Sequence, residues 1–166
     1  MTREARLSRE LRILLCSCRI AALGTVSDSS APFVSMVPFA VQPTAGYLVI
    51  HVSGLAAHTR HMQKRSQVSL LIMQPEAPGV AVHDLPRVTL NGAAILLDPG
   101  SDDWRMCRAA YLDRFPEAEP MTGFGDFRFA AIKVNNGRQI AGFGAARDVD
   151  AQEIQRVMSL MDCGPS

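Results

Sequence analysis

Gly46–Ser66 reads GYLVIHVSGLAAHTRHMQKRS, and the rest of the chain is best read outward from it. Tyr47 to Val52 is a short β-branched and apolar run behind a turn signal at Pro43, Thr44 and Gly46, which predicts a strand. The run stops at Ser53-Gly54. A helical pattern carrying His58, Thr59, Arg60, His61, Lys64 and Arg65 begins at once. A strand that ends in Ser-Gly and feeds a short basic helix can hold a phosphate, because backbone N–H groups, hydroxyls and cations converge there. The expectation is a phosphate-bearing ligand at Ser53 to Arg60.

On the N-terminal side, Leu7, Leu11, Leu14 and Leu15 sit at helical spacing and predict an amphipathic helix over about residues 3–15. Ile20–Val26 and Pro32–Val41 read as two strands around a turn at Asp28-Ser29-Ser30. On the C-terminal side, Val68–Met73 and Arg87–Leu97 read as strands. Ser101 caps a helix that runs to about Phe115. Phe127–Val134 is a strand, Asn135-Asn136-Gly137 a tight-turn signal, and Gln139–Phe143 its expected hairpin partner. Asp150 opens a last helix over about residues 150–161. Hairpins outnumber β-α-β units, so the expected fold is mainly β with peripheral helices (α+β), an antiparallel barrel rather than a doubly wound parallel sheet. A length of 166 residues suits one domain, residues 1–166.

Hydrophobic residues make up 48% and charged residues 20%, a globular balance. A formal net charge of +1 argues against broad electrostatic binding to nucleic acid or to an anionic membrane. Ile13–Leu15 is too short for a signal-peptide core, and the apolar runs are too short to cross a bilayer, so a cytoplasmic protein is expected.

Cys16, Cys18, Cys107 and Cys163 form no metal pattern and are expected to be reduced thiols. His58 and His61 share a helix face, but no third ligand is fixed and Arg60, Lys64 and Arg65 surround them, so no metal is expected. Gly123-Phe124-Gly125 and Gly142-Phe143-Gly144 begin like dinucleotide fingerprints. Arg128 and Arg147 stand where the third glycine belongs, so these glycines read as turns or as close approaches of backbone to another surface. No nucleophile elbow and no paired carboxylates stand out, and no catalytic side chain is assigned. That pattern suits a protein whose cofactor carries the reactivity.

Pro32–Ala40 (PFVSMVPFA), His51–Met62 (HVSGLAAHTRHM), Pro86–Gly92 (PRVTLNG), Gly123–Phe129 (GFGDFRF) and Gly137–Ala145 (GRQIAGFGA) occur in an order that resembles the FMN-binding split-barrel proteins related to pyridoxamine 5′-phosphate oxidase, and most of all their haem-utilisation branch. The resemblance implies a six-stranded antiparallel split barrel working as a homodimer, with FMN at the interface and a flavin-dependent oxidoreductase activity on an unassigned substrate and electron donor. A haem-binding or haem-utilisation protein, or a non-catalytic flavin carrier or sensor, is the alternative. By position, Ser35, Met36, Val37 and Pro38 would line the flavin ring, and Val52 and Ser53 the phosphate side. His58 and Thr59 fall where the oxidases place an Arg-Lys pair, with Arg60 beside them. Arg87 would reach across from the second subunit. The oxidases' Arg-x-His near the C-terminus has no counterpart, and no histidine follows His83.

Overall fold

The computed structural model describes residues 5–161. Arg3 and Glu4 of the expected first helix, and Cys163, lie outside the described residues. The chain runs α1 (Arg6–Ser17), β1 (Ile20–Val26), β2 (Pro32–Pro38), β3 (Ala40–Gln42), β4 (Tyr47–Ser53), α2 (Ala57–Lys64), β5 (Gln67–Met73), β6 (Arg87–Leu96), α3 (Asp102–Arg114), β7 (Phe127–Ile140), β8 (Ala146–Asp150) and α4 (Ala151–Ser159). Short 3-10 segments at Val82–Asp84 and Pro116–Gly123 occupy two of the stretches between the predicted elements.

All strands join one eight-stranded sheet in the order β2-β1-β5-β6-β7-β4-β3, with β8 on the far half of β7. Every pairing is antiparallel. The two ends of that order, β2 and β3, are two halves of the predicted strand Pro32–Val41. The sheet therefore curls round until one stretch of chain serves both its edges. Counting that stretch once gives six staves, and β8 is an extra hairpin arm.

The second strand breaks at Phe39. Its N–H donates to the Arg19 carbonyl at 3.1 Å, outside both ladders, and its ring is fully buried under the Arg114 guanidinium at 5.0 Å. A large side chain driven into the core at this point forces the strand to change partners, from β1 to β4.

The expected turn at Asn135-Asn136-Gly137 is not a turn. These residues stay inside β7. Asn91 pairs Asn136 but Gly92 pairs Val134, so Asn135 is an extra residue in a bulge. Gly92 is required opposite it: a Cβ there would lie 2.3 Å from the Lys133 carbonyl oxygen. The hairpin comes later, at Ala141–Ala145, where Gly142 and Gly144 take φ of 118° and 76°. Gln139 is accordingly a β7 residue rather than the start of the partner strand.

The inner face of the sheet is filled by Leu23, Val37, Phe39, Leu48, Ile50, Leu70, Ile72, Leu90 and Ile132. Leu11, Leu14 and Leu15 of α1, Met62 of α2 and Ile154, Val157 and Met158 of α4 close this core. A second core lies on the other face of β4 and β7, where Val49, Phe129 and Ala131 meet Cys107 and Tyr111 of α3. Strands β4 and β7 are buried on both sides for this reason, which accounts for the unbroken apolar run of β4. No described helix is long and apolar enough to cross a membrane.

Candidate functional site

The junction that the sequence marks for phosphate carries several internal hydrogen bonds. The Ser53 hydroxyl donates to Asp126 at 3.3 Å and accepts from the Leu55 N–H at 3.2 Å. The Gly54 N–H donates to the Asp126 carbonyl, and the Ala56 N–H to the Ser53 carbonyl. Thr59 is fully buried and donates its hydroxyl to the Ser53 carbonyl at 2.6 Å. Arg60 is exposed and donates to the Leu55 carbonyl at 2.7 Å. Lys64 pairs with Asp28. Several donors of this junction thus bond within it, and Asp126 sets a carboxylate beside Ser53.

Helix α2 lies against β1 and β2 through its two histidines. His58 Nδ1 is 2.9 Å from the Ser35 hydroxyl, and His61 Nδ1 is 2.9 Å from the hydroxyl of buried Thr25. Phe33 meets the His61 ring edge-on at 5.4 Å. Burial, and then the neighbouring charge of His61, hold the His58 pKa below its ordinary value. His51 sits elsewhere, on the α3 side of β4, against the rings of Phe129, Phe127 and Tyr111 at 4.5, 5.1 and 5.8 Å. Burial depresses its pKa too.

Alternation along β2 divides the expected flavin-lining residues. Phe33, Ser35 and Val37 turn toward α2 and the core, while Val34 and Met36 turn outward. Val52 is also core. Arg87 opens β6, pairs with Met73, and donates to the carbonyls of Leu85 and His83 at 2.9 and 3.3 Å. The structure therefore joins Ser35 to His58 and Thr59 to Ser53, leaves Met36 and Pro38 on the other side of β2, and sets Arg87 apart at the start of β6.

The outer side of β2-β1-β5 carries a trough of about 810 Å³. Its floor is the small residue Ala22, paired with Met36 on one side and Leu71 on the other. Its walls hold Val34 and Met36, 67% and 62% exposed, and Ile20 and Met73, 56% and 41% exposed. Arg19 and Gln74 stand at its rim. Beyond Val34 it continues into a second hollow of about 500 Å³ beside Gly24, whose polar residues Ser69, Asn91 and Asn136 are linked by hydrogen bonds of 2.6 and 2.9 Å.

Four large apolar side chains left in water around one concavity mark a binding surface. Sequence reasoning caught Met36 of this wall and missed Ile20, Val34 and Met73. The available signal was the excess of apolar residues in Pro32–Pro38 and Val68–Met73, where a strand with one wet face would alternate with polar ones.

Comparison with known proteins fits this geometry. The CREG beta-barrel family pattern matches residues 3–155. Heme oxygenase HutZ of Vibrio cholerae is 27% identical over 152 residues, covering 91% of this chain and 85% of that protein. The structure of a heme binding protein from Mycobacterium smegmatis superposes with a TM-score of 0.81 at 26% identity, covering 94% of this chain and 62% of that one. This chain thus spans less than two thirds of the mycobacterial protein's length. A putative pyridoxamine 5′-phosphate oxidase from Listeria innocua has a TM-score of 0.59 at 17% identity, covering 82% of this chain and all of that one. That likeness is one of fold, and it makes the curled antiparallel sheet a split barrel of the oxidase type. The match over residues 3–155 places the chain in the CREG beta-barrel family.

Proposed function

We propose that this protein binds haem in the trough on β2-β1-β5 and acts in haem utilisation, with a second copy of the chain roofing the trough. The observation that carries the reading is the trough itself: a concave, mainly apolar surface of about 810 Å³ beside a more polar hollow of about 500 Å³. Ligand sites of about 300–1,000 Å³ with apolar walls and few polar groups are the usual form for such molecules. Arg19 lines the trough, and Ser69, Asn91 and Asn136 line its neighbouring hollow, where they already hydrogen-bond one another. The similarity to proteins named for haem binding and haem oxygenation supports the same ligand.

FMN is the weaker reading. The relatives of similar sequence reported above are named for haem rather than for a flavin. Haem, when bound, supplies a redox-active iron in a conjugated ring. The chain's own part is to bury the ring faces between β2 and β5 and to keep water from them.

Titration of haemin into the full chain tests the proposal. A saturable change of the Soret band at one haem per chain, lost in Val34→Asp and Ala22→Trp variants that keep wild-type circular dichroism, is the expected result. A non-saturating change, or a Soret band indifferent to both substitutions, overturns it.

A further inference from the structure

Two methionines stand on opposite walls of the trough, in reach of water. Met36 pairs with the floor residue Ala22, while Ser35 and Val37 on either side of it turn to α2 and the core. Met73 ends β5 two places beyond Leu71, the other partner of Ala22, and Ile72 between them is fully buried. Alternation therefore sets Met36 and Met73 on one outward face, 62% and 41% exposed. With β1 between their strands, the two walls lie about 10 Å apart.

The thiol of the same wall is shielded. Cys18 is buried and donates to the Met73 carbonyl at 3.3 Å, and burial raises its pKa, so little of the reactive thiolate forms. An oxidant that enters the trough meets thioether sulfur first.

We propose that Met36 and Met73 form a peroxide-responsive modification site, whose oxidation to sulfoxides turns the apolar trough polar and ends its hold on apolar molecules. The thioether sulfur attacks one oxygen of hydrogen peroxide. A sulfur–oxygen bond forms, the oxygen–oxygen bond breaks, and the other oxygen leaves as water. Sulfur gives up the two electrons that the peroxide gains. Burying the new sulfoxide oxygen against Ile20, Val34 or Leu71 strips it of its hydration. A dithiol restores the thioether, with a disulfide and water as the other products, so the change is reversible. A ligand or a second copy seated on the trough shields both sulfurs, and the empty, unroofed chain is the form that responds. The effect is the same for haem or any other apolar occupant, so it stands apart from the haem reading.

The test exposes the full chain, a Met36→Leu/Met73→Leu double variant and Met121→Leu to hydrogen peroxide. Leucine keeps the volume and apolarity of the wall and removes the oxidisable atom. Met121, 38% exposed in Pro116–Gly123 and outside the trough, is the control. Peptide mass spectrometry follows each sulfoxide, titration with anilinonaphthalene sulfonate reads the trough, and circular dichroism reads the fold. In the wild type, Met36 and Met73 gain oxygen while the buried Met62, Met158 and Met161 do not. Dye affinity then falls about tenfold, the equivalent of about 1.4 kcal/mol, with the fold retained. A methionine sulfoxide reductase with dithiothreitol restores it. The double variant keeps its dye affinity through the treatment, and Met121→Leu loses it as the wild type does. Met36 and Met73 left unoxidised while Met121 is oxidised overturns the proposal. So does dye affinity unchanged by their oxidation, an equal loss in the double variant, or unfolding on treatment. An untreated chain that binds no dye, or binds it equally in Val34→Asp, overturns it as well.

Discussion

Nδ1 of His58 lies 2.9 Å from the Ser35 hydroxyl, so this histidine fastens α2 to β2. The contact ties a helix pressed on the barrel's inner side to the strand whose other face walls the trough. Burial holds His58 below its ordinary pKa of 6.5, with the charge of His61 adding to the effect. Protonation is therefore harder in the folded than in the unfolded chain. The neutral ring costs nothing above pH 6.5, and stability is lost as pH falls from 6.5 toward the lower folded value. NMR titration should place the His58 midpoint below 6.5, and His58→Gln should lessen the fall in melting temperature between neutral and mildly acid pH. A midpoint at or above 6.5 contradicts the assignment.

A second acid-sensitive tie joins the two terminal helices. Arg147 grips Glu153 with both nitrogens, at 2.7 and 3.1 Å, and Ser8 of α1 donates to the same carboxylate at 2.6 Å. Burial alone would raise the Glu153 pKa. The hydrogen bonds from Arg147 and Ser8 and the charges of Arg147 and Arg156 outweigh it, and the net pKa is lowered from 4.5. A depressed carboxylate stabilises the fold above its unfolded pKa, and that contribution disappears as pH falls through the folded value. Glu153→Gln should cost about 1–3 kcal/mol at neutral pH in urea unfolding. The difference from wild type should close at strongly acid pH, and a gap that stays constant with pH would show that charge is not involved.

Gly92 is held by the bulge opposite it. An added Cβ meets backbone rather than a movable side chain, at 2.3 Å from the Lys133 oxygen. Gly92→Ala should destabilise by about 1–3 kcal/mol, as overpacking does. Gly123→Ala, where nothing lies within 4 Å, should leave the melting temperature nearly unchanged. Equal effects at the two sites would remove the bulge from the explanation.

The exposed apolar wall also predicts self-association. Val34 is 67% exposed on β2, a strand paired on one side only by β1. A two-fold pairing of this face would cover both troughs at once. Sedimentation at micromolar concentration should give the mass of two chains for the wild type and of one for Val34→Glu. A wild-type monomer would overturn self-association, and a Val34→Glu dimer would place the interface elsewhere.

Local pattern was enough for most of the elements. Apolar and β-branched runs marked β1, β4, β5 and β6, and Ser101 and Asp150 cap α3 and α4 through the N–H groups of Trp104 and Glu153. These features depend on neighbours in sequence, and so does the hairpin-rich order that selects an antiparallel barrel. What the chain alone could not decide was where each side chain's partner lies. Asn135-Asn136-Gly137 carries turn chemistry, but pairing with β6 draws it into a bulge, because the ladder of a long strand outweighs a local preference. Phe39 looks like any strand residue until the core claims its ring and the strand changes sheet edge. The phosphate reading of Ser53 to Arg60 used residues adjacent in sequence, whereas Asp126, 73 positions away, joins Ser53 only in the fold. The trough exists only once β1, β2 and β5 lie side by side and set Ala22 between Met36 and Leu71. The residue types that form the site were legible in the sequence. Their assembly was not, because register across strands is fixed by burial of the opposite face, a property of the whole barrel.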